Sequence, residues 1–226
     1  MQITLVPPVS QGRDISYQIL TEDNLNSAIE CISSTFYFGE PMTIALDITL
    51  EEFKYFASIL LRKAVLDKLS VVAKDNVTGK AVGVLIAEDF MTEPPEGIET
   101  ISPKFLPIFE LLGTLDTRYK DKYPVKLGEL YHIFMVGVYK EYAGLSLILT
   151  RTAEIIAREK EYIAAIAETT SPISHKIYTR RLGFKELEDI EPINYASFEY
   201  HGKHVFASIS SAASCQVIFK DYRAIT

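Results

Sequence analysis

The chain has 226 residues, 48% of them apolar, which is enough for one domain with a real hydrophobic core. Its formal net charge of −7 argues against a non-specific nucleic-acid binder, which needs a basic face. No apolar signal run follows Met1 and no stretch reaches transmembrane length, so the expectation is a soluble, cytoplasmic protein with neither a membrane nor a nucleic-acid partner, monomeric or homodimeric.

In chain order, residues 14–20 alternate as a first strand. Thr21, Glu22 and Asp23 then offer capping side chains, and Leu25, Ala28, Ile29, Ile32 and Phe36 share one helical face, which predicts a helix to about Thr35. Residues 36–42 read as an aromatic loop punctuated by Gly39 and Pro41. Thr49 and Glu52 make a capping box for a second helix to about Asp67. Residues 70–73 and 81–88 flank a turn signal at 75–79 as a hairpin. Residues 91–126 open as a loop and continue as an amphipathic helix over 102–123, with Pro107 in its first turns. Residues 129–139 are apolar on both faces, as in the middle of a covered sheet. An amphipathic helix from Leu145 to Ile156, a strand over 162–168 and a basic helix over 173–182 follow, the last stopped by Gly183 at its C′ position. Strands are predicted over 184–188, 195–200 and 204–210, the last two turning at 201–203, with 217–222 as an edge strand. The fold class is therefore mixed α/β in a single domain, 1–226: a mostly antiparallel central sheet with helices on both faces. The order does not suit a doubly wound nucleotide fold. Cys31 and Cys215 lack ligand spacing and are expected as free thiols; His201 and His204 read as surface residues and no metal site is expected.

The stretch 129–184 resembles the GNAT superfamily of N-acetyltransferases. The superfamily's signature is a strand ending in Val, five residues, and then a glycine-rich phosphate loop opening a helix. Val138 fits the strand end, the loop falls on Ala143, Gly144, Leu145, Ser146, Leu147 and Ile148, and Leu182-Gly183-Phe184 matches the family's ending. The resemblance implies the acyl-CoA N-acyltransferase fold and acetyl-CoA as co-substrate. The cofactor would lie along Met135, Val136, Gly137 and Val138 and against that loop. A helix start offers free N–H groups to a pyrophosphate, and a glycine lets backbone approach a ligand. Three loop positions depart from the pattern: Ala143 lacks the usual cation or amide, Ser146 replaces a glycine, and Ile148 replaces a small residue and crowds the site if it points inward. Without the resemblance, an ordinary strand-to-helix turn and a packing role for Gly137 meet the same residues.

Within the superfamily the segment FYFGEPM, residues 36–42, is similar to one in arylalkylamine and dopamine N-acetyltransferases, where the glutamate is the general base. An amine must lose its proton before it attacks a thioester. This makes Glu40 the candidate base; otherwise it is a solvated loop carboxylate. His132 falls where the arylalkylamine branch carries a relay histidine, and is otherwise a satisfied core histidine. The family's thiolate-protonating tyrosine position is Thr179 here, with Tyr178 one residue off. Ser174 and Ser171 are further candidates by resemblance, and capping is the alternative for both. The insertion at about 91–126 would help enclose the substrate. The expected activity is acetyl transfer to a small primary amine, arylalkylamine-like, by direct attack on the thioester. The alternatives are a non-catalytic acyl-CoA-binding or interaction module of the same fold, and a polyamine or peptide N-acetyltransferase.

Overall fold

The computed structural model describes residues 13–223, so the reading of the segment after Met1 lies outside the described residues. Strand β1 (Ile15–Ile19) leads into helix α1 (Glu22–Gly39), whose start is fixed by a hydrogen bond from Thr21 N to Asn24 Oδ1 of 3.0 Å. Helix α1 runs one turn further than its apolar face suggests, so Phe36 to Gly39 are its last turn and not a loop. Pro41 then opens helix α2 (Pro41–Ala45) at a position where its missing N–H costs nothing. Helix α3 (Leu50–Asp67) begins at the expected reciprocal cap, Glu52 N to Thr49 Oγ1 at 3.2 Å and Thr49 N to Glu52 Oε2 at 2.8 Å.

Strands β2 (Val71–Asp75) and β3 (Ala81–Asp89) form the predicted hairpin. The insertion contributes two short 3₁₀ turns and helix α4 (Leu106–Lys122), with Pro107 in its first turn. Then come β4 (Leu130–Val138), α5 (Leu145–Glu159), β5 (Ala164–Thr169) and α6 (Pro172–Arg181), the last ended by Gly183 at φ 76°. The short strands β6 (Lys185–Glu186) and β7 (Ile193–Asn194) and the long β8 (Ser214–Asp221) complete the set.

The sheet order is β1-β2-β3-β4-β5-β8-β6, with β7 also paired to β8; every pairing is antiparallel except β4 with β5. One face carries α1, α3 and α4 over a large apolar cluster, and the other carries α5 and α6 over a second. Two expectations fail here. The tail is not an edge strand, because β8 sits inside the sheet between β5 and β6. Residues 195–210 are not a hairpin of strands but turns joined by a single bridge, Tyr200 to Lys203. Their apolar residues instead bury Tyr195 and Phe206 against each other, ring centroids 5.9 Å apart. Cys31 and Cys215 are both buried and free. No helix among the described residues is long and apolar enough to cross a membrane, and no metal-competent cluster of three His, Cys, Asp or Glu occurs among them.

Candidate active site

The site begins with a flaw in the sheet. Strand β4 pairs with β5 only through Leu130, Tyr131 and His132, and the two parallel strands then diverge. On its other edge β4 stays paired with β3 as far as Val138. The backbone of β4 beyond His132 therefore loses its β5 partner, and such groups demand another. A groove lies in the wedge, lined by Val136, Gly137 and Val138 on one side and by Thr170, Ser171 and Ser174 on the other. Opposite the β3 residues Ile86 and Ala87, β4 carries one extra residue, Phe134, a bulge of the kind that re-aims side chains beside functional sites.

Phe134 and Met135 line a second cavity that adjoins the groove. Its walls are aromatic: Phe36 from α1, Phe53 and Phe56 from α3, Phe105 and Phe109 from the insertion. These rings pack at centroid distances of 4.7–6.3 Å. The insertion thus closes this cavity. Phe36, Glu40 and Thr170 line both spaces and mark the junction between them.

Glu40 is not a solvated loop carboxylate. Only 9% of it is exposed, because it sits between two helices and caps the second. Its Oε2 accepts from Thr43 N at 2.6 Å and from Thr43 Oγ1 at 2.7 Å, while its buried Oε1 has no partner. Burial pushes the carboxyl up from the ordinary glutamate range; hydrogen bonds from Thr43, Met42 and Thr170 pull the other way without cancelling it.

His132 is a different kind of residue from the relay that the sequence suggested. It is buried between two carboxylates, Nε2 to Glu168 Oε2 at 2.7 Å and Nδ1 to Glu88 Oε1 at 3.5 Å. Burial alone would lower its pKa, but the charges and hydrogen bonds of Glu168 and Glu88, and the charge of Asp116, raise it well above the ordinary value. A histidine that already holds both protons has no lone pair with which to take one from a substrate. The geometry thus makes His132 the partner of two buried carboxylates. Register explains the cluster: Glu88 faces His132 across β3–β4, and Glu168 lies two residues beyond its β5 partner Ile166, so all three share one face.

The remaining candidates divide by geometry. Tyr178 lines the groove, is 6% exposed, and stands 3.4 Å from Thr150 Oγ1. Burial raises its phenol pKa far enough that it keeps its proton at neutral pH. Ser171 caps α6 by accepting from Ser174 N at 3.2 Å, and Ser174 Oγ donates to Ser171 O at 2.9 Å, so both line the groove but are engaged as a cap. Of the six loop positions only Ser146 lines the groove. Leu145 is buried in the cluster under α5, Leu147 and Ile148 are half-buried against it, and Ala143 and Gly144 are exposed. Ile148 packs on the sheet and does not crowd the groove, because the apolar stripe of α5 must face that way. Gly144 has φ 99° and open space where a Cβ would stand, so the turn is left-handed and clear at the helix start. Gly137 has a stronger reason than ligand approach: a Cβ there would lie 2.1 Å from Thr35 Oγ1 and 2.8 Å from Ile32 Cδ1 of α1.

Glu168 and Asp116 were missed from sequence. Glu168 is an acid in a strand otherwise apolar on both faces. Asp116 lies four residues after Leu112 and three before Tyr119, on the inward side of α4. Each is the lone charge at a position where its neighbours are buried, and that signal was readable.

No protein-family model matches the sequence, and neither does any curated protein. Solved structures match nearly the whole described chain. The C-terminal condensation domain of Ebony, in complex with beta-alanyl-dopamine, superposes with a TM-score of 0.81 at 20% identity over 92% of this chain and 99% of that one. Arylalkylamine N-acetyltransferase 2 from Aedes aegypti gives 0.72 at 19% identity over 92% and 99%. The polyamine N-acetyltransferase of Drosophila melanogaster gives 0.71 at 18% identity over 92% and 100%. The chain has the GNAT fold. The structures that share it include arylalkylamine, agmatine and polyamine N-acetyltransferases.

Proposed function

We propose that this chain is an acetyl-CoA-dependent N-acetyltransferase for a small primary amine, arylalkylamine-like. The observation that carries the reading is the unpartnered, buried Oε1 of Glu40 at the junction of the groove and the aromatic cavity. A carboxylate with a raised pKa, one free oxygen and aromatic walls suits the capture of an ammonium and the removal of its proton. The fold neighbours support the chemistry: several are N-acetyltransferases of arylalkylamines, agmatine or polyamines, and the Ebony domain holds an amide of an aromatic amine.

The groove fits the pantetheine arm of an acyl thioester: its wall on the β4 side is backbone without a β5 partner, and the start of α5 at Leu145 and Ser146 offers N–H groups to a phosphate. Acetyl-CoA bound there supplies the activated acetyl group. Glu40 takes the proton from the substrate ammonium. The neutral amine attacks the thioester carbonyl carbon, so a C–N bond forms as the C–S bond breaks. Backbone amides between Met135 and Val138 stabilise the oxyanion. Tyr178, still protonated and facing the groove, gives its proton to the departing thiolate; the nitrogen's second proton, lost as the amide forms, passes to solvent, from which Tyr178 is reprotonated. Ser174 holds the start of α6 in place beside it. The enclosed aromatic cavity argues for a small amine over a peptide N-terminus.

The test is Glu40→Gln. The amide keeps the shape and the cap on α2 but takes no proton, so the rate of amine acetylation should fall about 10²–10⁴-fold at neutral pH. Acetyl-CoA affinity should be retained, and raising the pH should restore part of the rate by supplying neutral amine. Wild-type activity in the variant removes Glu40 from the mechanism. A wild-type chain that binds acetyl-CoA yet acetylates no aryl amine or polyamine is a binding module instead.

A further inference from the structure

The aromatic cavity holds a second carboxylate for which acyl transfer has no use. The side chain of Glu168 is 4% exposed and lines this cavity but not the groove. It lies two residues before Thr170, which lines both, so it stands back from the junction where Glu40 works. Its Oε2 is taken by His132, and its Oε1 is buried with no partner. Among the described residues no side chain or backbone group donates to it. Both nitrogens of His132 are committed, one to Glu168 and one to Glu88, and the nearby walls are Phe36, Phe134 and Met135. A buried acceptor left in this state costs about 1–3 kcal/mol. The surroundings also favour a donor over a further acceptor. Asp116 behind the cluster is pushed up to about 7, by burial first and then by the charge of Glu168. Three carboxyl groups, Glu88, Glu168 and Asp116, meet in that cluster, with His132 and Lys63 paired to them and Lys120 acting on Asp116.

We propose that Glu168 selects acceptor amines that carry a second hydrogen-bond donor, a phenolic hydroxyl or a second amino group, away from the nitrogen that is acylated. The inference rests on the reading of the aromatic cavity as the acceptor site. A ligand with such a group completes the Glu168 carboxylate; one without it leaves the oxygen unpaired in an apolar cavity and is rejected for that reason. His132 is then a positioning residue. It fixes one oxygen of Glu168 so that the other faces the ligand.

Binding tests this without relying on catalysis. Two matched pairs, tyramine with phenethylamine and 1,4-diaminobutane with butylamine, are titrated calorimetrically against the full chain with CoA present. In at least one pair the bifunctional amine should bind roughly 10–100-fold more tightly, the worth of a hydrogen bond to a charged group. The first pair reports a phenol and the second a cation. Glu168→Met should bring the ratio close to one. Because the ratio is taken within one protein, a general loss of stability cancels. If the Met variant does not fold, Glu168→Gln, which keeps shape and an acceptor, should lower the ratio several-fold as a charged hydrogen bond becomes a neutral one. Equal affinities within both pairs, no binding by any of the four amines, or a ratio that survives in the folded variant overturns the proposal. Discriminating binding without acetyl transfer breaks the activity reading and leaves this inference standing; transfer without discrimination does the reverse.

Discussion

The aromatic cavity and the groove share Phe36, Glu40 and Thr170, yet they are built from different materials. The cavity is made of side chains: six phenylalanines and two carboxylates, each with an oxygen waiting for a partner. The groove is made largely of backbone and small polar residues, with Val136 to Val138 on one strand and the capped start of α6 opposite. On the proposed function the difference follows from what each would recognise. An acyl thioester arm is a chain of amides that any open strand edge can pair with, so its site tolerates substitution in the loop that follows Val138. An amine is told from other amines only by what stands against it, so its site consists of particular side chains in fixed places. The degenerate loop and the furnished cavity are thus two sides of one division of labour.

The sharpest way to break that division is at Gly137, which belongs to the groove but supports the cavity. Gly137→Ala would drive a methyl group into Thr35 of α1, and overpacking of this kind costs about 1–3 kcal/mol. Because the last turn of α1 carries Phe36 and leads to Glu40, the KM for the amine should rise together with the loss of stability. Denaturant melts and steady-state kinetics check both. An effect on acetyl-CoA affinity alone would show that the strand and not the helix is what the glycine protects.

A second test sharpens the cavity side through pH. The carboxyl of Asp116 is raised in the fold to about 7 from 3.8. A raised acid stabilises the fold fully below its unfolded value, and that contribution is lost as pH climbs toward and through the folded one. Wild-type stability should therefore fall between about pH 4 and pH 7, and Asp116→Asn should flatten the fall by roughly 1–3 kcal/mol. The raised His132 loses its own contribution at higher pH, and because the charge of Asp116 helps to raise it, that loss is smaller in the variant. Urea melts at pH 4.5 and pH 8 decide; equal slopes would mean that Asp116 is ionised throughout.

The smallest effect is expected on the groove side. Ile148→Ala removes part of a half-buried side chain on the core, so it should cost about 1 kcal/mol of stability and leave acetyl-CoA affinity unchanged. A tenfold gain in affinity would place that side chain in the groove after all.

What was legible in the sequence was local. The Thr49–Glu52 box, the turn at 75–79, the two-faced apolar run of β4 and the stop at Gly183 are decided by residues within a turn or two of each other. The errors lie where distant partners decide. Tyr195 to Ser210 alternate as strands do, but they form turns beside the sheet and their rings fill space instead. Residues 36–39 looked like a loop because Gly39 and Pro41 punctuate it; Pro41 proved to begin a helix, which is what buries Glu40 as its cap. His132 was read as either relay or core residue, and the partners it has in the structure, two carboxylates from other strands, had no local signal. Glu168 carried its own signal, an acid where a covered strand should have none.

The place of β8 has a consequence in time. The strand that holds β5 to β6 and β7 comes after all of them in the sequence, so the interior of the sheet stays open until that strand has been made. Until then the edge of β5, which carries Glu168, has no β8 to pair with and is the kind of exposed edge that invites pairing with another chain. Non-local closure of this sort slows folding. During synthesis on the ribosome the aromatic cavity has its walls from α1, α3 and α4 early, but the strand bearing its second carboxylate becomes fixed only at the end. A chain shortened before Ser214 should be recovered as aggregate rather than as a weakened enzyme.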